Sequence, residues 1–229
     1  VFVDDFRDFK SSYSVPKHPI LLCHGLMGFD RIELPTGHSI EYFNGVKVVL
    51  EERGAKVITR SVPPMASIEL RATNLFESLL ASEDTKDLKS LNIIAHSMGG
   101  LDARYMISKL LNKNIDLKVA SLTTLSTPHR GSPVADLFQP ITRHFSENFS
   151  AFAQLTTDYM TEDFNKAILD DPNVAYYSYG AKIKAGFASP FFLSGEIIQQ
   201  KEGGNDGMVS VESAKWGEYL GTLDNVDHG

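Results

Sequence analysis

The stretch Ile93-Ile94-Ala95-His96-Ser97-Met98-Gly99-Gly100 decides the fold of this chain. An apolar run leads into a serine between small residues, and Leu101–Leu111 follow with helical apolar spacing. This order is typical of a nucleophile elbow, a strand–turn–helix unit whose tight turn projects a serine hydroxyl from the sheet. Ala95 stands where the G-x-S-x-G motif has its first glycine, a difference of one methyl group. Short Ser/Gly motifs also recur in loops by chance, but the flanking strand and helix favour Ser97 as a nucleophile.

The composition is that of an ordinary folded protein and excludes several classes. The chain has 229 residues, enough for one domain over 1–229 with a substantial core. Its net charge of −7 and the lack of a Lys/Arg block argue against a nucleic-acid partner. No apolar stretch approaches the roughly 20 residues of a membrane span. No signal peptide is visible, and because the chain starts at Val1 rather than methionine we expect a processed or truncated product. The single cysteine, Cys23, lies among apolar residues and indicates a buried thiol.

Strands and helices alternate along the sequence. Short apolar runs predict strands, amphipathic spacing predicts helices, and Ser67 is a candidate helix cap. This alternation is typical of an α/β protein with a mostly parallel central sheet flanked by helices. The predicted strands are 19–23, 56–60, 91–95, 119–125 and 174–179, and the predicted helices are 42–53, 68–80 and 101–111.

Cys23-His24-Gly25-Leu26-Met27-Gly28 follows the first predicted strand and predicts part of an oxyanion hole. Acyl transfer develops negative charge on a carbonyl oxygen, and preorganised backbone N–H groups stabilise that charge. Behind a nucleophile elbow, one donor is the amide of the next residue, here Met98, and the other comes from the loop after an early strand. Leu26 is the best-placed residue in that loop. The alternative interpretation is that Gly25 and Gly28 only form a tight turn.

A nucleophilic serine needs a histidine base, which follows it in the sequence when the serine lies on an elbow. Three histidines follow Ser97. His129 comes too early to leave room for an acid-bearing strand, so a structural role is expected. His144 lies in a polar-aromatic segment and is expected to be exposed. His228 comes after every predicted strand and is the favoured base.

The base in turn needs an acid that orients it, located between the serine and the histidine. Asp206 is the favoured acid because its loop, 203–209, is rich in turn residues and then becomes apolar. Asp224 and Asp227 are competitors, although both lie very close in sequence to His228. An aspartate in a turn is often only a turn former, so spacing alone leaves this choice open.

From about Pro19 to His228 the chain resembles the α/β-hydrolase lipases, closely the fungal, yeast mitochondrial-type triacylglycerol lipases and more distantly those of Pseudomonas, Burkholderia and Proteus. The resemblance implies an α/β-hydrolase fold with a helical cap and an intracellular location, with mitochondria as one candidate. Position by position, it implies Ser97 as nucleophile, Asp206 as acid, His228 as base, and Leu26 and Met98 as oxyanion donors. The stretches that carry it are 19–28, 56–59, 91–105, 122–136, 205–209, 213–219 and 227–228.

The chain departs from the family in two places. Family members usually continue beyond the histidine with Leu-Asp and a final helix, whereas this chain stops at Gly229, so we expect a missing C-terminal segment. The bacterial relatives hold calcium between two aspartates, yet residues 173–205 contain no aspartate and nothing follows Gly229. The other carboxylates show no metal-ligand spacing. We therefore expect neither a metal nor a cofactor.

The segment 132–172 is predicted to be a helical cap or lid over the site, because this fold inserts its cap between two strands. Its apolar and aromatic content suits an acyl-chain pocket that opens at a lipid surface. The alternative is ordinary packing of insertion helices on the core. The candidate pocket residues are Phe138, Phe145, Phe149 and Phe152.

The expected function is hydrolysis of acylglycerol esters, with a lipid or ester as the partner. A phospholipase, a short-chain carboxylesterase or an acyltransferase would use the same three side chains, and fold alone does not separate them. A non-catalytic binding protein of this fold is a further alternative, but it would not need all three. The acidic balance argues against strong electrostatic binding to anionic bilayers.

Overall fold

A computed structural model describes residues 14–28, 31–33, 39–43, 45–111, 115–142 and 150–229, without the side chains of 31–33, 39–41 and 140–142. Within this part of the chain, six strands form a parallel sheet in the order β4-β1-β5-β6-β7-β8, and two more pair as a small antiparallel hairpin. The strands are β1 (Ile20–Cys23), β2 (Arg31–Glu33), β3 (Ser39–Glu41), β4 (Val57–Thr59), β5 (Ser90–His96), β6 (Lys118–Leu125), β7 (Ala175–Lys182) and β8 (Glu218–Asp224).

Helices connect these strands and cover both faces of the sheet. The α-helices are α1 (Val46–Glu52), α2 (Ile68–Ala81), α3 (Gly99–Tyr105), α4 (Pro133–Thr142), α5 (Ala151–Gln154), α6 (Asn165–Ala167), α7 (Phe192–Lys201) and α8 (Val211–Ala214). The π-helical turn Met106–Leu110 extends α3. A second π-helical turn, Tyr159–Phe164, precedes α6. The predicted mostly parallel sheet with flanking helices is confirmed.

The core lies in two layers, one on each face of the sheet. On one face, α2 and α3 bury side chains such as Leu75 and Ala103 against Leu21 and Ile93. On the other face, Leu50 of α1 packs against Ile20, Leu22 and Val57. β1, which is buried on both faces, is a continuous apolar run, and this pattern makes it easy to predict from the sequence.

Two of the predicted helices have different bounds in the structure. The helix predicted over 42–53 begins only at Val46, because Gly45 has a φ of 79° and this left-handed backbone cannot extend the helix backwards. The helix predicted over 101–111 starts at Gly99 and ends in a π-helical turn. The predicted Ser67 cap is confirmed, since its side chain accepts a hydrogen bond from the Leu70 amide at 3.2 Å.

The sequence analysis missed the last strand, β8, and the helix α7. The mixed composition of β8 and its glycine at 221 hide the strand pattern, but it pairs in parallel with β7, from Tyr177 opposite Glu218 to Lys182 opposite Asp224. The chain therefore leaves β8 at the carboxyl edge of the sheet. His228 reaches the end of β5 from there.

Candidate active site

The nucleophile elbow forms between β5 and α3. Ser97 has a φ of 55°, a strained conformation for a residue with a side chain, and such strain is typical of functional turns. Its amide donates to the Leu125 carbonyl at 2.9 Å, and its carbonyl accepts from the Thr127 hydroxyl at 2.7 Å. Gly99 permits the sharp turn, since a Cβ there would lie 2.6 Å from the His24 carbonyl oxygen. These contacts fix the backbone of the turn that carries Ser97.

The structure brings Ser97, His228 and Asp206 together, although they lie far apart in sequence. His228 Nε2 lies 2.8 Å from Ser97 Oγ, and His228 Nδ1 lies 2.8 Å from Asp206 Oδ2. An ionised carboxylate only accepts, so Nδ1 donates to Asp206 and leaves Nε2 free to accept the serine proton. This chain of two hydrogen bonds is the geometry that activates a serine for attack on a carbonyl.

Asp206 is fully buried and held in its charged form. Its Oδ1 accepts hydrogen bonds from the amides of Met208 at 3.0 Å and Val209 at 2.8 Å. Burial opposes ionisation, but the hydrogen bond and charge of His228 together with these two amides outweigh it and lower the pKa of Asp206. A charged carboxylate at this position is suited to orient the ring of His228 and to stabilise its protonated form.

The competing residues are engaged elsewhere. Asp224 forms an ion pair with Lys182 at 2.9 Å, and Asp227 accepts a hydrogen bond from the Gly229 amide at 3.3 Å. His129 is buried at the end of β6, with its Nε2 3.0 Å from Thr124 Oγ1 and its ring stacked on a tryptophan. It takes no part in the Ser97 contacts, as the sequence analysis expects. His144 lies outside the described residues.

The two predicted oxyanion donors, Leu26 and Met98, lie beside Ser97. Met98 follows Ser97 at the start of α3, and Leu26 packs against the same cluster as the buried Met98 side chain. Gly25 abuts the serine, since a Cβ at Gly25 would lie 3.2 Å from Ser97 Oγ. No acceptor is found for the amides of Leu26 and Met98 within the part of the chain that the structure describes. Both amides are thus available to an oxyanion.

Sequence reasoning missed a second set of polar residues around the serine. Tyr42 accepts a hydrogen bond from the Gly25 amide at 3.2 Å, and its hydroxyl lies within hydrogen-bond distance of His96 Nδ1, at 2.6 Å. The His96 ring lies 4.8 Å from the His228 ring. Burial, reinforced by the charge of His228, lowers the pKa of His96 to about 3, so His96 stays neutral beside the base. Only the fold reveals this contact, because Tyr42 precedes His96 by 54 residues.

The sequence analysis also missed Arg71 and Asp102, although the position of Arg71 in the sequence is unusual. It lies within the apolar stripe of α2 that includes Ile68, Ala72 and Leu75, where a charged residue is unexpected. Arg71 is fully buried, and its Nη2 forms an ion pair with Asp102 Oδ2 at 2.7 Å. A charge on the core face of a helix needs a partner, and this partner lies on α3, directly behind the elbow.

The segment 132–172 is largely helical where it is described. It carries α4, α5, α6 and a π-helical turn, and its residues Ala151 and Met160 pack with Met98 and Leu101 of α3. Of the four predicted pocket aromatics, Phe138 is exposed and Phe152 is half-buried, whereas Phe145 and Phe149 lie outside the described residues.

Two features are absent from the described residues. No helix among them is long and apolar enough to cross a membrane. The same ranges contain no group of three or more His, Cys, Asp or Glu side chains that could hold a metal ion.

The sheet, its helices and the serine turn after β5 define an α/β-hydrolase. The PGAP1-like alpha/beta domain family matches residues 66–181. Triacylglycerol lipase 2 of Saccharomyces cerevisiae is 39% identical over 269 aligned positions, which cover 95% of this chain and 80% of the yeast protein. Triacylglycerol lipase of Vibrio cholerae is 37% identical over 58% of this chain and 39% of its own length. The chain belongs to the triacylglycerol lipase family, and the resemblance seen in the sequence is confirmed.

Solved structures give the same fold at lower identity. The mature lipase BlEst2 of Bacillus licheniformis superposes with a TM-score of 0.73 at 22% identity, over 95% of this chain and 89% of that one. At this identity the likeness speaks for the fold alone.

Proposed function

We propose that this protein is a serine ester hydrolase that cleaves triacylglycerol to free fatty acids through an acyl-enzyme on Ser97. The observation that carries the proposal is the unbroken hydrogen-bonded series Asp206, His228 and Ser97, with both links at 2.8 Å. The amides of Leu26 and Met98, for which the described residues supply no acceptor, support it. So does membership of a family whose yeast and Vibrio relatives are named triacylglycerol lipases.

In the first half of the proposed reaction, Ser97 Oγ attacks the ester carbonyl carbon while His228 Nε2 takes the serine proton. The carbonyl oxygen becomes an oxyanion and accepts hydrogen bonds from the amides of Leu26 and Met98. The tetrahedral intermediate then breaks its bond to the alcohol oxygen, which leaves with the proton from His228. Asp206 keeps the histidine ring in the required tautomer and stabilises its positive charge. The acyl group is left on Ser97.

In the second half, water attacks the acyl-enzyme while His228 takes a proton from it. Collapse of the second tetrahedral intermediate returns that proton to Ser97 Oγ and releases the fatty acid. An acyltransferase would use an alcohol in place of this water, so the products distinguish the two reactions.

The test of the nucleophile is Ser97→Ala, with Ser121→Ala as the matched control. Ser121 lies on β6, where its hydroxyl donates to Asn92 Oδ1 at 2.9 Å. We expect Ser97→Ala to fold, to lose ester hydrolysis by several powers of ten and to lose labelling by a fluorophosphonate probe. Ser121→Ala should keep both. Retention of more than about a tenth of the wild-type rate in folded Ser97→Ala would exclude Ser97 as the nucleophile.

The substrate class is tested by a panel of esters. Tributyrin, emulsified triolein, phosphatidylcholine and a soluble short-chain ester are compared at equal enzyme concentration. A triacylglycerol lipase hydrolyses triolein faster than phosphatidylcholine. Preference for phosphatidylcholine indicates a phospholipase instead, and activity confined to the soluble ester indicates a carboxylesterase.

We propose that exposed apolar side chains around the site contact a neutral lipid surface. Phe187 is 90% exposed and Leu193 is 74% exposed, which is unusual for such large apolar groups. Phe187 packs on Phe192 at the start of α7, and the neighbouring Phe191 lies beside Gly229, next to the catalytic histidine. Clustered apolar exposure of this kind marks an interaction surface.

The charge pattern favours uncharged acylglycerol over an anionic bilayer. Residues 185–195 contain no charged side chain, and the chain carries a net charge of −7. Helix α4 contacts α7 and adds the exposed Leu137 and Phe138 to this surface. Burial of apolar area, at about 25 cal/mol per Å², then provides the attraction.

Adsorption is tested with Leu193→Ser in the inactive Ser97→Ala background, so that turnover does not alter the surface. Leu80→Ser is the matched control: Leu80 is 49% exposed near the end of α2. At 1.5 Å rise per residue it lies about 14 Å along that helix from Arg71, which contacts the oxyanion loop, residues 24–28. Leu193→Ser should weaken binding to triolein droplets and Leu80→Ser should not. Equal binding by both contradicts the proposed surface.

We also propose that 132–172 is a lid within a single domain over 1–229 and opens at lipid. Its packing on α3, the helix behind Ser97, supports this location. Activity on a sparingly soluble ester should rise more than proportionally above its solubility limit. Replacing Phe145, Phe149 and Phe152 by serine should weaken that rise and leave the rate of hydrolysis of a small soluble ester unchanged. A smooth hyperbolic curve through the limit contradicts the lid.

An intracellular location, with mitochondria as one candidate compartment, is proposed on the family resemblance alone. Fractionation of cells that express the full-length gene tests it. Recovery in the medium rather than in mitochondria contradicts the proposal.

A further inference from the structure

Arg71 binds the oxyanion loop directly, and it does so with its whole guanidinium group. Its Nη2 donates to the carbonyls of His24 at 3.0 Å and Gly25 at 3.2 Å. Its Nη1 donates to the carbonyls of Pro63 at 3.1 Å and Pro64 at 3.3 Å, and its Nε donates to Asp102 at 2.9 Å. All five N–H groups of a fully buried arginine are therefore used.

These contacts determine which way the Leu26 amide points. In a planar trans peptide, the carbonyl of one residue and the N–H of the next point in opposite directions. Because Arg71 holds the Gly25 carbonyl on its own side, the Leu26 N–H must point away from Arg71. The same peptide abuts Ser97, since the Cβ position of Gly25 lies 2.7 Å from Ser97 Cβ.

The Gly25 carbonyl has two further donors that keep the peptide in this orientation. The Val62 amide donates to His24 Nε2 at 3.1 Å, so the proton of the neutral ring is on Nδ1, which donates to the Gly25 carbonyl at 2.9 Å. The Gly28 amide donates to the same oxygen at 3.2 Å. Three donors on one carbonyl leave the peptide little freedom to flip.

Asp102 connects Arg71 to the helix that carries the other oxyanion donor. It lies on α3, four residues after Met98, and its carboxylate binds both Nε and Nη2 of Arg71. Replacing a buried ion pair by apolar side chains is often neutral for stability, so stability alone does not explain this pair. Its location between the two halves of the oxyanion hole does.

We propose that Arg71, anchored by Asp102, is a positioning residue that aims the Leu26 N–H at the oxyanion formed on Ser97. The inference rests on the proposed acyl transfer at Ser97 and adds the device that preorganises one of its two donors. Arg71 does not touch the reacting atoms. Its removal therefore lowers transition-state stabilisation more than ground-state binding.

The main test is the double variant Arg71→Met/Asp102→Leu, which removes both charges and leaves no buried ion unpaired. Removing one oxyanion donor typically costs 10²–10³ in rate, so we expect a fall of about 100-fold in kcat with KM within about threefold. An alkyl boronic acid, which forms a tetrahedral anion on a nucleophilic serine, should bind about 100-fold more weakly. A purely structural role would lower the melting temperature without this selective loss.

The matched control is Arg104→Met. Arg104 is also buried, but it contacts Asn165, the Ile168 carbonyl and Trp216 instead of residues 24–28. This variant should lose stability and keep its affinity for the boronic acid. A similar loss of boronic acid affinity in Arg104→Met shows that general loosening, and not the orientation of the Leu26 amide, is responsible.

Arg71→Lys serves where the double variant fails to fold, since lysine keeps the charge opposite Asp102. Lysine has three donors in place of five and cannot reach all the carbonyls, so kcat should still fall at least about tenfold. Wild-type kcat in a folded Arg71→Lys or double variant overturns the inference. Absence of fluorophosphonate labelling in the wild-type protein contradicts the proposed function, and this inference with it.

Discussion

Gly25→Ala tests the oxyanion site with the smallest change that the chain allows. The added Cβ would lie 2.7 Å from Ser97 Cβ and 3.0 Å from the Tyr42 hydroxyl. Carbon atoms pack at about 3.5–4.0 Å, so the serine and the loop must separate by about 1 Å. A misplacement of that size costs about 100-fold in rate, because oxyanion donors work only at 2.7–3.1 Å.

The assay measures kcat/KM on a soluble short-chain ester, which removes any effect of lipid adsorption. We expect a fall of about 100-fold, together with a loss of about 1–3 kcal/mol in the free energy of unfolding from overpacking. Gly186→Ala is the matched control, because nothing lies within 4 Å of its Cβ position. If Gly25→Ala is folded and keeps kcat/KM within about threefold of Gly186→Ala, the close approach of Gly25 to the serine is irrelevant to the chemistry.

Three further predictions concern the acid and metal. Asp206→Asn should lower kcat on the order of 10⁴-fold, whereas Asp224→Asn, which loses only a surface ion pair with Lys182, should do far less; a larger loss at Asp224 contradicts the assignment. The pKa of folded Asp206 is lowered, so its stabilising contribution is present above the unfolded value of about 3.9 and is lost as pH falls through the folded pKa. The free energy of unfolding, measured with urea between pH 5 and 2, should therefore fall more steeply for wild type than for Asp206→Asn, and parallel curves would argue against a lowered pKa of Asp206. EDTA should change neither activity nor melting temperature, because residues 173–205 lack an aspartate for calcium; a fall that calcium reverses would contradict this.

Local sequence patterns were sufficient for the elbow and most of the sheet. β1 and β4 are short apolar runs, as expected for strands that are buried on both faces. β5 and β6 are longer and bury roughly alternate residues, and β-branched and apolar side chains mark them as strands. The serine turn is recognisable in the sequence because it requires small neighbours. A Cβ atom at Gly99, for example, would lie 2.6 Å from the His24 carbonyl oxygen. These are properties of residues a few positions apart.

β8 and α7 were missed for the opposite reason. β8 is at the edge of the sheet and is covered less completely, so its sequence needs no continuous apolar run. α7 buries only Gly195 and Ile198, which leaves no clear apolar stripe to recognise. In both elements the tertiary environment, and not the local pattern, selects the conformation.

The sequence by itself determined the serine turn after β5 and the loop 24–28 that follows β1. Spacing left Asp206 and Asp224 open as candidate acids, and only the tertiary structure separates their surroundings, because strand register is not written locally. The pairing of β7 with β8 places Asp224 opposite Lys182, while the turn after α7 carries Asp206 to within 2.8 Å of His228. The contacts of Arg71 with the Gly25 carbonyl, 46 residues away, likewise exist only once the helices close over the sheet. A buried charge or a hydrogen bond between distant segments depends on the packing of the whole chain, so it cannot be predicted from local periodicity.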